Sequence, residues 1–131
     1  MAIETIFAQV SCSDLQTSLP WYEKLFGKPP TRRPMAGLVE WQFSDSAEVQ
    51  LFEQKQNAGH SVLTLGVLPL EVERQRLENI GLEPGTIEEA DDYYLMRILD
   101  PDKNLIVFVP IGKEEGSAVY TVSKVETTLQ N

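Results

Sequence analysis

The sequence predicts an α+β protein in which one strand–helix–strand–strand unit occurs twice. Two segments have the hydrophobic spacing of an amphipathic helix, and each is followed by a glycine, Gly27 or Gly81. Segments of alternating apolar and polar residues flank both helices, which is typical of half-buried strands. Because both halves carry these elements in the same order, we interpret the chain as an internal duplication within a single domain, residues 1–131.

The first unit opens with "IFAQVSCS", where Ile6, Ala8 and Val10 alternate as on a strand with one buried face. Asp14 is a candidate N-cap for the helix that follows, and Gly27 a candidate C-cap. Pro20 lies inside this pattern, so the helix either kinks there or starts later than Asp14. The predicted apolar face consists of Leu15, Leu19, Tyr22 and Phe26. The segments "LVEWQFS" and "AEVQLFEQ" then form a hairpin.

The second unit repeats this order. "SVLTLGV" predicts a strand, and "PLEVERQRLENIG" predicts a helix with Pro69 in its first turn and Gly81 at its end. Leu70, Leu77 and Ile80 share the buried face of this helix. "YYLMRIL" and "NLIVFVP" form a second hairpin around "DPDKN". The tail, residues 112–131, is interpreted as an extra strand, a dimer arm or a frayed end.

Composition and charge exclude several classes of function. The formal net charge of −9 repels nucleic-acid backbones and anionic membrane surfaces. No apolar run approaches the roughly 20 residues of a membrane span, and the N-terminal segment lacks a basic signal-peptide region, so we expect a cytoplasmic protein. The single Cys12 forms no internal disulfide and has no partner at zinc-ligand spacing. We therefore expect Cys12 to be a core residue.

Three segments resemble the vicinal oxygen chelate superfamily, which includes glyoxalase I, extradiol dioxygenases and bleomycin resistance proteins. They are "VSCSDLQTSLPWYEKLFG", the stretch from Val62 to Gly81, and "DPDKN", and with their connections they cover residues 3–110. The resemblance implies two βαβββ modules, residues 3–54 and 61–111, that form a half-open, barrel-like curved sheet. It also implies that the concave side of this sheet binds the ligand.

Metal-dependent members of that superfamily hold their metal with His or Glu from the first and last strands of each module. Matching the motifs places these positions at Phe7, Gln50, Val62 and Val107. None of the four is an imidazole, carboxylate or thiolate, the groups that bind transition metals in proteins. We therefore expect no metal and no other cofactor. His60, the only histidine, is expected at the surface.

The resemblance then implies a metal-free protein that sequesters a cationic or aromatic small molecule in the concave groove of a homodimer. The expected ligand-binding residues are Phe7, Gln9, Gln50, Phe52, Val62, Thr64, Leu105 and Val107. The alternative is a glyoxalase-like lyase or isomerase, or an enzyme related to the dioxygenases, with Glu40 and Arg97 as candidate catalytic residues for acid–base chemistry. A third possibility is an interaction domain whose groove is filled by its own aromatic side chains.

The length of the first hairpin loop decides whether Glu40 or Trp41 faces the groove, because a one-residue change of register turns every side chain to the other face. A two-residue turn pairs Trp41 with Gln50. A three-residue loop, Ser44 to Ser46, pairs Glu40 with Gln50 and directs to the core Val39, Trp41, Phe43, Ala47, Val49 and Leu51. We favour the second, since the first buries an amide.

The same parity argument applies to the "DPDKN" turn. A five-residue loop sets Arg97 beside Val107 in the groove, whereas a four-residue loop directs Arg97 toward the core, where a lone guanidinium is costly. We therefore favour the five-residue loop. Lys103 stands where the family pattern has Gly, so we expect a positive φ at Lys103, with Asn104 as the rival position.

Overall fold

The computed structural model describes residues 1–112, so our expectations for the tail from residue 113 onward lie outside the described residues. The chain forms two compact units. One consists of Met1–Leu63 with Leu99–Leu105, and the other of Thr64–Ile98 with residues 106–112. Among the described residues, no helix combines the length and apolar character needed to cross a membrane.

The first unit contains a four-stranded sheet in the order β1-β4-β3-β2, in which β1 runs parallel to β4. Its elements are β1 (Ile6–Cys12), α1 (Leu15–Phe26), β2 (Arg32–Met35), β3 (Leu38–Ser44) and β4 (Ala47–Glu53). One face of the sheet forms the core of this unit, with Val10, Val39, Trp41, Val49 and Leu51 buried. The indole N–H of Trp41 donates to the Lys28 carbonyl at 2.9 Å, so this large side chain is buried without an unpaired donor.

The predicted caps of α1 are confirmed. The Asp14 side chain accepts a hydrogen bond from the Gln16 amide at 3.2 Å, and Gly27 has a φ of 75°. The helix begins at Leu15 and includes Pro20, so a later start is wrong. Its buried residues are Ser18, Tyr22 and Leu25, whereas Leu15, Leu19 and Phe26 are only half-buried. The buried face is therefore rotated from the predicted one. Cys12 is fully buried, as expected.

The register of the first hairpin confirms that Glu40 pairs with Gln50, but the loop differs from our prediction. Ser44 pairs with Ala47, which leaves a two-residue turn, and the register shifts between Gln42 and Ser44. Phe43 is the extra residue, and this bulge restores the parity that we had assigned to a longer loop. At this end of the hairpin, Phe43 and Ala47 are exposed, so their placement in the core was wrong.

The second sheet has the strand order β5-β8-β7-β6. Its elements are β5 (Val62–Val67), α2 (Leu70–Asn79), β6 (Glu88–Ala90), β7 (Tyr93–Leu99) and β8 (Leu105–Pro110). Leu70 and Leu77 of α2 are buried as predicted, Ile80 is half-buried, and Pro69 is the capping residue rather than the first helical residue. The order strand, helix and three strands occurs twice, which confirms the α+β fold class.

The "DPDKN" turn joins β7 to β8. The Asp100 amide donates to the Asn104 carbonyl at 3.0 Å, and the Lys103 amide donates to the Asp100 carbonyl at 2.8 Å. The first of these bonds pairs Asp100 with Asn104, so on the antiparallel strands Arg97 lies opposite Val107. This is the register that we predicted for the five-residue loop. Arg97 is exposed. Lys103 has a φ of 70°, which confirms the predicted left-handed residue, and Asn104 does not share it.

Replacing Lys103 with Gly is expected to stabilise the protein by about 1 kcal/mol, since Gly adopts a positive φ without steric penalty. Urea unfolding of the variant measures this change in free energy. Lys103→Ala is the matched control, because it removes the side chain but keeps the Cβ that causes the penalty. A lowered midpoint for Lys103→Gly would show that unfolded-state entropy outweighs the strain.

Candidate functional site

The face of the first sheet opposite the core carries polar and aromatic side chains. In the register of β1, β4 and β3, Gln9 and Glu40 both pair with Gln50, and Phe7 pairs with Glu48. Because side chains two residues apart on a strand share a face, these residues lie together on one surface. We call it the polar face, and it comprises Phe7, Gln9, Arg32, Glu40, Glu48, Gln50 and Phe52.

A chain of hydrogen bonds runs across the polar face. The Gln9 Nε2 group donates to Gln50 Oε1 at 2.9 Å, and Gln50 Nε2 donates to Glu40 Oε2 at 2.7 Å. On the other side of Glu40, Arg32 Nε donates to Glu40 Oε1 at 3.0 Å. Gln9, Gln50, Glu40 and Arg32 thus form one continuous chain across all four strands of the sheet.

Arg32 also binds Glu48 through its Nη2 group, so one guanidinium bridges two carboxylates. The side chains of Glu40 and Glu48 are only 9% and 8% exposed, whereas that of Arg32 is 42% exposed. Hydrogen bonds from Gln50 and Arg32 lower the pKa of Glu40 despite its burial, so Glu40 is ionised at neutral pH. The site therefore contains two buried carboxylates and one cation that covers them.

Two aromatic side chains accompany this polar chain. Phe7 precedes Gln9 on the same face of β1 and is 46% exposed, and Phe52 follows Gln50 on β4 and is half-buried. Gln9 is itself exposed. The structure thus brings together four of the expected ligand-binding residues, Phe7, Gln9, Gln50 and Phe52, on an accessible surface with aromatic and amide groups.

The other four expected residues lie on the second sheet. Leu63, Ile106 and Phe108 are buried, so Val62 and Thr64 of β5 and Leu105 and Val107 of β8 face the opposite side. Val62 and Thr64 are exposed, and Leu105 and Val107 are half-buried. Arg97, the other catalytic candidate, pairs with Glu88 of β6 at 3.1 Å on the protein surface. This face is mostly apolar, in contrast to the polar face of the first sheet.

A second polar cluster in the first unit surrounds the "DPDKN" turn. Asn104 Oδ1 accepts from the amides of Gly59 and Ser61 at 3.0 and 2.8 Å, and Asn104 Nδ2 donates to the Ser11 carbonyl and to Asp100 Oδ2, both at 2.8 Å. The Tyr22 hydroxyl also donates to Asp100 Oδ2, at 2.6 Å. Every polar atom of the Asn104 side chain is thus paired, so the cluster is a structural lock on the turn.

The same cluster makes two titratable side chains unreactive. Burial and the neighbouring Asp102 raise the pKa of Cys12 to about 11, so the thiol is protonated at neutral pH. Burial and Asp100 raise the pKa of Tyr22 far above its usual range. Neither group is a candidate nucleophile or base.

The metal implied by the resemblance does not fit the residues present. Phe7, Val62 and Val107 offer no donor atoms, and the Gln50 carbonyl oxygen already accepts a hydrogen bond from Gln9. Within residues 1–112 there is also no group of three or more His, Cys, Asp and Glu residues that suits a metal ion. We therefore derive no chemistry through a metal at these positions.

Comparison with solved structures identifies the fold. A glyoxalase/bleomycin resistance protein from Catenulispora acidiphila is 29% identical, with a TM-score of 0.76, and the match covers 83% of this chain and 99% of that chain. The chain has the glyoxalase/bleomycin resistance fold, which supports its resemblance to the vicinal oxygen chelate superfamily. No protein-family model and no curated protein sequence matches the chain.

Two further solved structures show that proteins of different function share this fold. A bleomycin-binding protein complexed with bleomycin is 17% identical, with a TM-score of 0.69 and coverage of 82% of this chain and 98% of that chain. A lactoylglutathione lyase from Agrobacterium tumefaciens is 16% identical, with a TM-score of 0.69 and coverage of 86% and 96%. At these identities the similarity shows a shared fold, and function has to be argued from the site.

Sequence reasoning missed two residues of the polar face, Arg32 and Glu48. Glu48 could have been predicted from the alternation of side chains, since it lies two residues before Gln50 on the same strand and therefore on the same face. Arg32 lies in β2, whose sequence "RRPM" contains a proline and has no apolar alternation. No local signal marks it as a strand, and its pairing with Glu40 appears only in the folded sheet.

Proposed function

We propose that the protein is a metal-free, small-molecule-binding protein that sequesters a cationic or aromatic ligand without transforming it. The observation that carries this proposal is the hydrogen-bonded chain from Gln9 to Arg32, flanked by the accessible Phe7. Preorganised polar groups beside an aromatic ring are typical of a small-molecule site. On the polar face, the proposed site also includes Gln50 and Phe52. A binding role for Val62, Thr64, Leu105 and Val107 of the second sheet remains a prediction from the family resemblance.

The state of Glu40 argues against the enzymatic alternative. A general base works best when its pKa lies near the operating pH, but hydrogen bonds from Gln50 and Arg32 lower the pKa of Glu40. Both of its carboxylate oxygens are already engaged. Arg97 is engaged in an ion pair with the half-buried Glu88. Glu40 and Arg97 are therefore both engaged in ion pairs, and binding is favoured over acid–base catalysis.

The charge of the site favours a cation. Two buried carboxylates share one arginine, so the cluster has a net negative charge, and the whole chain has a formal net charge of −9. Such a field attracts cationic ligands and increases their rate of association. An aromatic cation would be attracted by the net negative charge of this cluster and would stack on the accessible Phe7 ring. A homodimer and a cytoplasmic location remain predictions from the sequence and the family resemblance.

The experiment is a calorimetric titration with bleomycin, the ligand of the structural neighbour, and with planar aromatic cations. Phe7→Ala is expected to weaken binding at least tenfold, because an accessible aromatic anchor typically contributes more than about 1.4 kcal/mol. Phe43→Ala is the matched control. Phe43 is exposed to a similar extent, 44% against 46% for Phe7, but it packs against Phe26 away from the polar face.

Two outcomes would contradict the proposal. Absence of binding to every compound of this class would remove the small-molecule function, and equal losses for the two phenylalanine variants would move the site off the polar face. Elemental analysis and light scattering on the same sample test the metal-free state and the dimer. About one transition metal per chain, or a stable monomer at micromolar concentration, would refute those two parts of the proposal.

A further inference from the structure

The direction of the hydrogen bonds along the polar face is set by Glu40. An ionised carboxylate only accepts hydrogen bonds, and Glu40 Oε2 faces the side-chain amide of Gln50. Gln50 must therefore present its Nε2 group to Glu40, which directs Oε1 toward Gln9. Gln9 must in turn donate from its own Nε2 group. The ionised Glu40 thus fixes the orientation of both amides.

This order leaves one defined group at the open end of the chain. Gln9 uses its Nε2 group toward Gln50, and its Oε1 atom makes no hydrogen bond within the described part of the protein. Gln9 is exposed, so this carbonyl oxygen is available to a ligand, beside Phe7 on the same strand. The exposed end of the chain, Gln9 Oε1, is a hydrogen-bond acceptor because the buried Glu40 is an anion.

We propose that Glu40 is a specificity-determining residue that acts through Gln50 and Gln9, and that the site selects planar aromatic ligands that donate an N–H hydrogen bond to Gln9 Oε1. The inference rests on the small-molecule site proposed above and names the class of ligand that it takes. Glu40 itself is a positioning residue, since its side chain is buried and both of its carboxylate oxygens are engaged by Arg32 and Gln50.

A single substitution is expected to reverse this preference. In Glu40→Gln, Arg32 still donates to the Oε1 position, which places the new amide NH₂ group toward Gln50. Gln50 must then turn its carbonyl oxygen toward residue 40 and its NH₂ group toward Gln9. Gln9 follows by accepting from Gln50, and its own NH₂ group becomes the open end. The group that Gln9 presents to a ligand thus changes from a hydrogen-bond acceptor to a hydrogen-bond donor.

The test uses two neutral, planar probes, indole as an N–H donor and quinoline as a nitrogen acceptor, with dissociation constants measured by NMR titration. The wild-type protein is expected to bind indole at least fivefold more tightly than quinoline, and Glu40→Gln is expected to invert the ratio. Glu83→Gln removes the same charge from an exposed residue of the other unit and should keep the wild-type ratio. Gln9→Leu, a change at an exposed residue, should bring the ratio close to one.

The unliganded protein supplies a second measurement that needs no probe. In the wild type, the Gln50 amide protons should show nuclear Overhauser contacts to the Glu40 side chain, and in Glu40→Gln these should be replaced by contacts to Gln9. An unchanged pattern, or a Glu40→Gln protein that keeps the wild-type preference for indole, would overturn the inference. If neither probe nor any other small molecule binds while the amide contacts switch, the small-molecule function fails and the role of Glu40 in orienting the amides stands.

Discussion

Replacing Asn104 with Ala is expected to lower the free energy of unfolding by about 4 kcal/mol, the largest effect that we expect for a single substitution in this chain. Its side chain is fully buried and makes four hydrogen bonds. Truncation leaves the amides of Gly59 and Ser61 without their acceptor and the Ser11 carbonyl without its donor. A buried polar group without a partner costs about 1–3 kcal/mol, and partial access of water reduces the sum.

The bonds of Asn104 also explain why the effect should be cooperative. Asn104 joins the "DPDKN" turn to the connector at Gly59 and Ser61 and to β1 at Ser11, so one side chain ties together three segments of the first unit. Its backbone amide and its Nδ2 group both donate to Asp100, which also accepts from Tyr22. Removing one member leaves its neighbours unpaired, as in other buried polar networks.

Urea unfolding of the variant at neutral pH measures the loss. Asn57→Ala is the matched control, because Asn57 is exposed and its side chain makes one hydrogen bond, to Gln54. We expect a change of less than about 0.5 kcal/mol for this control. A loss of less than about 1 kcal/mol for Asn104→Ala would mean that water replaces the amide, and that the cluster is not the lock on the turn.

The fold was predictable where the hydrophobic pattern is local and periodic. The strands of both hairpins, both helices and the Asp14 cap follow from spacing, and the pairing of Glu40 with Gln50 follows from parity. The bulge at Phe43 was not predictable, because a two-residue turn with a bulge and a three-residue loop give the same parity. Polarity arguments predict which face of the sheet a side chain occupies, but they do not predict the loop length or the bulge that produces this register.

The site was predictable only in part, because its central interactions join residues that are far apart in sequence. Gln9 and Gln50 were expected on one face, since each belongs to a recognisable strand. Asn104 was considered only as a rival for the left-handed residue of the turn. Its bonds to Ser11 and Gly59 depend on tertiary structure that no local pattern encodes. Arg32 was missed for the same reason, because its pairing with Glu40 is also a tertiary contact. The second large effect on stability that we expect is that of replacing Arg32.

Arg32→Ala is expected to destabilise the protein by about 2–3 kcal/mol at neutral pH, because it leaves Glu40 and Glu48 buried without their shared cation. Removing one partner of a fully buried ion pair costs about 3–5 kcal/mol, and the 42% exposure of the Arg32 side chain reduces this through solvent screening. Arg33→Ala is the matched control, an exposed neighbour on the same strand, and should change stability by less than about 0.5 kcal/mol.

The dependence of this effect on pH follows from the state of Glu40. In the wild type the pKa of Glu40 is lowered in the folded state, so its contribution is present above the unfolded pKa of about 4.3 and is lost as the pH falls through the folded value. Without Arg32, burial opposes the charge with less compensation, and the pKa of Glu40 should rise. The variant then gains stability relative to the wild type as the pH falls.

Urea unfolding of the wild type and of Arg32→Ala, at about pH 7 and about pH 4, measures both effects. We expect the difference in unfolding free energy to shrink by at least half at the lower pH. A difference that stays constant would mean that Arg32 stabilises the sheet by packing and not by charge. Glu48→Gln in the Arg32→Ala background separates these further: if the ion pair is the cause, the second substitution recovers about 1 kcal/mol or more, since it removes a buried charge that has lost its partner.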